Sequence, residues 1–298
     1  MDGSAKWSVL SQAGYQAVAV NENWCDLMSL ETTLTKTTQL DRTPRQKSYK
    51  VLGVRVDVVQ IPDVIARMEG WIEQRDGFRY IAVTGMHGVT EAQHDGKFRD
   101  ILNAAGLVVP DGYPLVWLGR RKGFPQLKRR VYGPELMAAF CEQTAAKGYR
   151  HFLYGGAPGV ADELAGRLTA RYPGLVVAGT FCPPFRELTP EEDREVIAMI
   201  EQSRADVLWI GLSTPKQERW MFEHRDRLPV PVLVGVGAAF DFHTDRAVQA
   251  PKWMREHGFE WLFRLLHEPR RLWRRYLVYG SQFVALATLE LLGFKKFR

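Results

Sequence analysis

The chain has 298 residues, 46% of them apolar and 25% charged, which is enough to bury a large core and is ordinary for a globular protein. Its three cysteines, Cys25, Cys141 and Cys182, are far apart and never at metal-pair spacing, which argues against a zinc site and fits a reducing compartment. The net charge of +6 is uneven: residues 251–298 hold ten Lys or Arg against four Glu, and the preceding 250 residues balance at thirty of each sign. A neutral body with a basic, apolar tail points to an anionic membrane surface rather than to nucleic acid.

Residues 1–48 are polar and Thr-rich without a sustained period, and read as a disordered extension with a short apolar stretch at Trp24–Leu30. They carry no charged-then-apolar leader pattern, so secretion is not expected. From residue 51 the pattern changes. Val51–Val59 reads as a strand, Ile61–Gln74 as a helix and Tyr80–Thr84 as a second strand. A helical stretch over about 88–104 follows. Leu107-Val108-Val109 is a short buried strand, ended by Pro110, which has no N–H for a ladder. Asp111-Gly112 is a turn pair, and Pro114 suits the first turn of a helix carrying Leu115, Val116 and Leu118.

Pro134–Lys147 reads as a helix. Three β–loop–α units come next: His151–Tyr154 with Val160–Arg171, Leu175–Thr180 with Pro190–Ser203, and Ala205–Leu212 with Pro215–Arg227. Val230–Ala238 is the last strand. Strands alternating with helices of this length predict an α/β fold: a mostly parallel, Rossmann-like sheet with helices on both faces. No repeat or linker divides residues 51–250. The expected domains are an extension over 1–48, an α/β domain over 49–250 and a basic helical appendage over 251–298.

Ligands of open α/β sheets bind at the carboxyl edge of the strands, and several polar groups fall there. Asp111 is either a base or a cap for the following turn. The loop Gly155-Gly156-Ala157-Pro158-Gly159 either cradles a phosphate or makes a tight turn. It is neither G-x-G-x-x-G nor a Walker loop. In Ser213-Thr214-Pro215-Lys216-Gln217-Glu218, Thr214 suits an N-cap, Pro215 the first helical position and Gln217 the capping-box position. Lys216 is left over, a cation beside a helix N-terminus that suits an anion such as a diphosphate. Thr84 is another polar group at this edge. His87 fits acid–base chemistry or a structural hydrogen bond, and Arg129 or Arg130 fits a phosphate clamp or a solvated charge. Asp241, His243 and Asp245 invite a metal check, but no D-x-D pair occurs, and no metal is expected. The tail alternates Trp and Arg, with one apolar stripe at Phe259, Leu262, Phe263 and Leu266. Residues 276–294 carry one charge, Glu290, and read as a helix lying on a membrane, or else packed on a neighbouring subunit of a homo-oligomer.

Taken in order, Val-Pro-Asp111-Gly, Val-Tyr-Gly-Pro-Glu-Leu-Met, Leu-Tyr-Gly-Gly-Ala-Pro-Gly, Gly-Leu-Ser-Thr-Pro-Lys-Gln-Glu, Gly-Val-Gly-Ala-Ala-Phe-Asp-Phe and the Trp/Arg tail resemble the WecG/TagA/CpsF glycosyltransferases over about residues 51–278. The resemblance implies an inverting, metal-independent and cofactor-free transferase. Its donor would be a UDP-sugar, typically UDP-N-acetylmannosamine or its uronic acid. Its acceptor would be a sugar on a polyprenyl diphosphate, at the cytoplasmic face of the plasma membrane, in cell-surface polysaccharide assembly. By the same resemblance Asp111 is the general base and Thr84 a substrate contact. Arg130 and Gln217 are donor-site residues, and the tail arginines, Arg264, Arg271 and Arg274, bind the diphosphate. Family members often carry Thr-x-Asn after the second strand. This chain has Thr84-Gly85-Met86-His87, which leaves the donor sugar open. From the sheet pattern alone, two rivals remain: a nucleotide-binding oxidoreductase and a non-catalytic membrane-docking module.

Overall fold

The computed structural model describes residues 46–297, and the expectations for residues 1–45 lie outside them. The compact unit begins at Gln46 and continues through the tail without a break. Its first element differs from the predicted strand over 51–59. Two short strands, β1 (Ser48–Val51) and β2 (Val54–Asp57), pair antiparallel around a turn at Leu52-Gly53. So Ser48, assigned above to the extension, is the first residue of a hairpin. The hairpin lies beside the sheet edge, where the Val108 N–H donates to Asp57 Oδ2 at 2.8 Å. An edge strand thereby gains a partner for an otherwise open amide.

Helix α1 (Ile61–Gln74) leads into β3 (Arg79–Thr84). The predicted helical stretch after β3 is two helices, α2 (Met86–His94) and α3 (Gly96–Ala104). The break is at Asp95, whose backbone is extended and whose side chain accepts from the Phe98 N–H at 3.1 Å. Asp and Gly in succession favour such a cap over helix continuation. Then come β4 (Leu107–Pro110), α4 (Tyr113–Arg121), α5 (Gly133–Thr144), β5 (Arg150–Gly155), α6 (Val160–Arg171), β6 (Val176–Phe181) and α7 (Pro190–Ser203). They are followed by β7 (Val207–Gly211), α8 (Lys216–His224), β8 (Val232–Gly235) and α9 (Ala239–His243).

Strands β3 to β8 form a six-stranded, all-parallel sheet in the order β4-β3-β8-β7-β5-β6. Successive side chains point to opposite faces, so each strand feeds two cores. Tyr80, Ala82, Leu208 and Ile210 face a core covered by α2, α3, α7 and α8. Ile81, Val83, Val207 and Trp209 face one covered by α1, α5, α6 and α9. Both faces are therefore dry, as a parallel sheet requires. Chain direction reverses between β5, which leaves toward β6, and β7, which leaves toward β8. A crevice opens at such a switch point.

The tail is helical: α10 (Lys252–Glu256), α11 (Glu260–His267), α12 (Pro269–Trp273), a π-helical turn over Arg274–Val278, and α13 (Tyr279–Leu291). Among the described residues no helix is long and apolar enough to cross a membrane. The inner side of α13 packs on the chain's own body, with Phe283 2% and Ala287 6% exposed. Glu290, the lone acid of that run, pairs with Lys122 at 2.9 Å. Residues 276–294 thus bury one side intramolecularly, which neither of the two sequence readings of this run anticipated.

Candidate active site

The polar residues at the carboxyl edge converge. Thr84 and Pro110 are register partners on β3 and β4, and the Asp111 N–H donates to the Thr84 carbonyl at 2.8 Å. Gly85 passes so close that a Cβ there would stand 2.5 Å from the Asp111 carbonyl oxygen. Gly112 takes φ +145°, a backbone region that L side chains rarely adopt. Glycines on both sides of the contact therefore fix where the Asp111 carboxylate points. The Val131 N–H donates to the Pro110 carbonyl at 2.8 Å, which lays the Arg129–Val131 segment alongside.

Arg130 is the charge nearest to Asp111, with Nη1 3.8 Å from Oδ1. Its Nη2 donates to Glu260 of α11, and the guanidinium lies 4.0 Å over the Tyr132 ring. Tyr132 donates its hydroxyl to the other Glu260 oxygen at 3.1 Å. The Asp111 side chain is 30% exposed, yet its Oδ1 is buried and has no hydrogen-bond partner. Burial pushes the carboxyl up to about 6. Arg130 opposes this, Glu260 reinforces it, and Arg275 and Arg264 oppose it more weakly. A carboxylate tuned near the working pH is suited to general-base work.

Thr84 is 2% exposed with an unpartnered hydroxyl, and its methyl meets Gly88 of α2 opposite the Thr214 methyl. His87 packs on Tyr279 with ring centroids 5.1 Å apart. Burial, then the nearby Arg275, lowers His87 to about 4, so the ring is neutral near pH 7 and offers Nδ1 unpartnered.

The β7–α8 loop differs from the cap predicted for it. The helix starts at Lys216 with Pro215 as its N-cap, and the Thr214-Pro215 peptide is cis. The Thr214 hydroxyl donates to Glu218 Oε1 at 2.8 Å rather than accepting from the backbone. Gln217 makes no capping box. Its amide donates to Glu218 Oε1 at 3.1 Å and accepts from the Gly237 N–H at 3.0 Å, tying the loop after β7 to the loop after β8. Lys216 is exposed at the helix start, with no ion pair among the described residues.

Gly155 and Gly156 have a packing reason as well as a possible ligand reason. At φ +127°, a Cβ on Gly155 would stand 2.7 Å from the Gly211 carbonyl oxygen, and the Gly156 N–H donates to that oxygen at 3.1 Å. This brings the β5 and β7 loops together at the switch point.

The tail arginines separate. Arg264 is half-buried, 5.4 Å over the Phe242 ring, and acts on Asp111. Arg271 is exposed and pairs with Glu268 at 2.9 Å, and Arg274 is exposed. Neither is brought to Asp111. Arg275, which the sequence reading passed over, is turned inward and acts on Asp111, His87 and Glu218. Adjacent helical residues point about 100° apart, so in Arg274-Arg275 one faces out and the other in. Nothing in the doublet itself marks which. Glu260 and Glu218 were also missed, because a buried acid on an amphipathic helix looks like any surface acid in sequence. The Asp241, His243 and Asp245 grouping dissolves: His243 meets the Pro134 carbonyl at 3.0 Å and Asp245 pairs with Arg167. Among the described residues no group of three His, Cys, Asp or Glu is arranged to hold a metal ion.

A basic cleft with a raised carboxylate at the carboxyl edge of a parallel sheet suits group transfer from an anionic donor, and comparison with known families gives the class. Residues 49–297 match the Glycosyl transferase WecG/TagA/CpsF family, and the chain belongs to that family. The chain is also 31% identical over 187 residues to the N-acetylglucosaminyldiphosphoundecaprenol N-acetyl-beta-D-mannosaminyltransferase of Bacillus spizizenii. That match covers 63% of this chain and 70% of the relative. Membership decides between the transferase and oxidoreductase readings of the sheet.

Proposed function

We propose that this glycosyltransferase moves a sugar, with inversion, from a UDP-sugar to a sugar carried on a polyprenyl diphosphate, with Asp111 as general base. The name of the Bacillus spizizenii relative supports N-acetylmannosamine as the sugar moved and lipid-diphosphate-linked N-acetylglucosamine as the acceptor. The observation that carries the reading is the Asp111 carboxylate at the carboxyl edge of the sheet, its Oδ1 buried without a hydrogen-bond partner 3.8 Å from Arg130, with burial raising the carboxyl to about 6.

In the reaction the acceptor hydroxyl oxygen attacks the anomeric carbon and its proton passes to Asp111. The bond from that carbon to the diphosphate oxygen breaks, and UDP leaves with the electron pair. General-base help of this kind contributes roughly 10²–10⁴-fold. The charge that develops on the diphosphate is met by Arg264 and Arg275, which make no ion pair among the described residues, and by Lys216 at the start of α8. No metal is required in this scheme. Thr84, with its free hydroxyl, contacts the substrate at the floor of the cleft, and His87 accepts a hydrogen bond through Nδ1. Arg130, held by Glu260, orients the base.

The tail brings its substrate with it. Its outer side exposes Trp253, Leu262, Leu266, Trp273 and Leu277, with Arg271 and Arg274 among them. Apolar side chains interleaved with cations suit the surface of an anionic bilayer. In this reading the enzyme rests peripherally on the cytoplasmic face, where a lipid-linked acceptor is within reach of Asp111. The test is incubation with a panel of UDP-sugars and a short-chain lipid diphosphate N-acetylglucosamine, followed by product mass. A product heavier by one N-acetylhexosamine from UDP-N-acetylmannosamine supports the assignment. No product with any UDP-sugar overturns it.

A further inference from the structure

Glu260 is a buried acid of the tail, 7% exposed, at the first position of α11, where a helix favours negative charge. Both of its oxygens are engaged by the body. Oε2 takes Nη2 of Arg130, and Oε1 accepts from the Tyr132 hydroxyl at 3.1 Å. The same guanidinium lies 4.0 Å over the Tyr132 ring, so glutamate, arginine and tyrosine hold one another in place. Two further ion pairs clip this stretch of tail to this stretch of body: Arg129 with Glu256 at 3.1 Å, and Arg255 with Glu135 at 2.9 Å. Of the three pairs, the one made by Glu260 is the one whose arginine also faces Asp111.

Arg130 Nη1 stops 3.8 Å from Asp111 Oδ1, outside hydrogen-bond range, and Oδ1 has no hydrogen-bond partner. An arginine and a carboxylate this close ordinarily meet through two parallel hydrogen bonds. Such a contact would spoil a base. A guanidinium in direct contact lowers a carboxyl by roughly one to three pH units, and a weaker base draws less of the acceptor's proton in the transition state. The closure is prevented at Nη2. That nitrogen is held by the tail, and a guanidinium anchored there cannot turn both of its outer nitrogens to Asp111. The other charges facing Asp111 are Arg264 of α11 and Arg275 of the π-helical turn, with the Tyr132 hydroxyl behind Arg130. Neither arginine makes an ion pair with Asp111 among the described residues.

We propose that Glu260 is a positioning residue: by gripping Nη2 of Arg130 it keeps that guanidinium from pairing with Asp111, so that the base is free to take a proton only while the first turn of α11 is seated on the body. The inference rests on Asp111 being the base. Glu260 enters no step of the reaction and acts on Asp111 through Arg130. With α11 lifted, Arg130 loses its carboxylate on the tail and closes on the one that remains, Asp111. An enzyme with its tail undocked therefore carries a paired, weakly basic Asp111, which is also a poor activator of water in place of the acceptor.

The experiment is the pH dependence of kcat/KM for transfer by the full chain, measured for wild type, Glu260→Gln, Glu256→Gln, Arg130→Gln and the variant combining Glu260→Gln with Arg130→Gln. Glu260→Gln keeps the side-chain shape and an acceptor for Tyr132, and removes the charge that holds Arg130. It should move the acid limb down by roughly one pH unit and lower the rate on the plateau severalfold, because the base is weaker. A loss of rate with the limb unmoved means that Glu260 only fastens the tail, and overturns the proposal. Glu256→Gln breaks the neighbouring clip with Arg130 still held, and should leave the limb in place. A limb that moves there as far as in Glu260→Gln traces the shift to a loosened tail and overturns the proposal too. In the Arg130→Gln background, Glu260→Gln should move the limb much less. An undiminished shift in that background means that Glu260 acts by its own field, not through Arg130, and is a third overturning result. Asp111→Asn separates the two levels. If the acid limb survives in Asp111→Asn, the base assignment has failed, and this inference with it. If the limb vanishes there while Glu260→Gln moves nothing, the Glu260 inference alone has failed.

Discussion

Asp111 Oδ1 stands 3.8 Å from Arg130 Nη1, while Nη2 of the same guanidinium is taken by Glu260 of the tail. The proposed base in the α/β body and the first long helix of the appendage therefore share one arginine.

Asp111→Asn preserves volume and removes the proton acceptor. Transfer should fall by roughly 10²–10⁴-fold, while the affinity for UDP, measured by calorimetry, should change little. Near-normal turnover would sink the base assignment.

The pH dependence follows from the sign of the shift. As the proposed base Asp111 would act ionised, and burial raises its carboxyl to about 6. kcat/KM should therefore fall about tenfold per unit of pH below that value and level off above it. His87, lowered to about 4 by burial, is neutral on both sides of this limb and adds no second one there. An acid limb near an ordinary carboxylate value would show that Asp111 is not the titrating group.

Glu260→Ala leaves the enclosed Arg130 with only the more distant Asp111 as counter-charge, and breaking an enclosed pair typically costs up to about 3–5 kcal/mol. The pair is enclosed here, with side chains 18% and 9% exposed. Limited proteolysis should then cut around residues 251–260 faster than in wild type, because α11 has lost its tie to the body. Unchanged cleavage would mean that the other tail contacts, such as Arg255 with Glu135 at 2.9 Å, suffice.

Phe283→Ala opens a cavity where α13 packs on the body. Large-to-small changes at a buried Phe cost about 3–5 kcal/mol, and at roughly 2–4 °C per kcal/mol for a domain of this size Tm should drop by on the order of 10 °C in calorimetry. A tail helix resting on a membrane alone, without this intramolecular packing, would leave Tm in solution unmoved.

Leu266 and Trp273 are 71% and 48% exposed. Replacing both with Asp should weaken co-sedimentation with anionic vesicles at least about tenfold, since burying one Leu-sized side chain is worth roughly 1.5–3 kcal/mol. UDP binding should persist. Binding of the wild type should also weaken as salt rises, through screening of the exposed arginines. Vesicle binding that survives both changes would point to another face.

Much of this was legible along the chain. Period-two and period-3.6 patterns place the alternation of strands and helices, and a dry parallel sheet follows because apolar runs such as Val207–Ile210 must bury both faces. Glycine and proline punctuation puts Thr84, Asp111, Gly155 and Gln217 at strand ends, and so at one edge. Local chemistry misled where a second local choice was open to the same residues. Thr214 has every feature of an N-cap, yet Glu218 takes its hydroxyl. The stretch over 88–104 is helical in propensity, yet Asp95 breaks it. Val51–Val59 is strand-like throughout, yet it folds back at Leu52-Gly53.

Fold class, the sheet edge and the basic tail are matters of period, punctuation and composition, which are local and so written in order along the chain. Which tail arginine turns inward, which acids are buried and how far Asp111 is raised are different in kind. They depend on distances between residues far apart in sequence, Asp111 with Glu260 and Arg275. Burial and Coulomb energy act through space, so these properties came into being only when the appendage folded back onto the body.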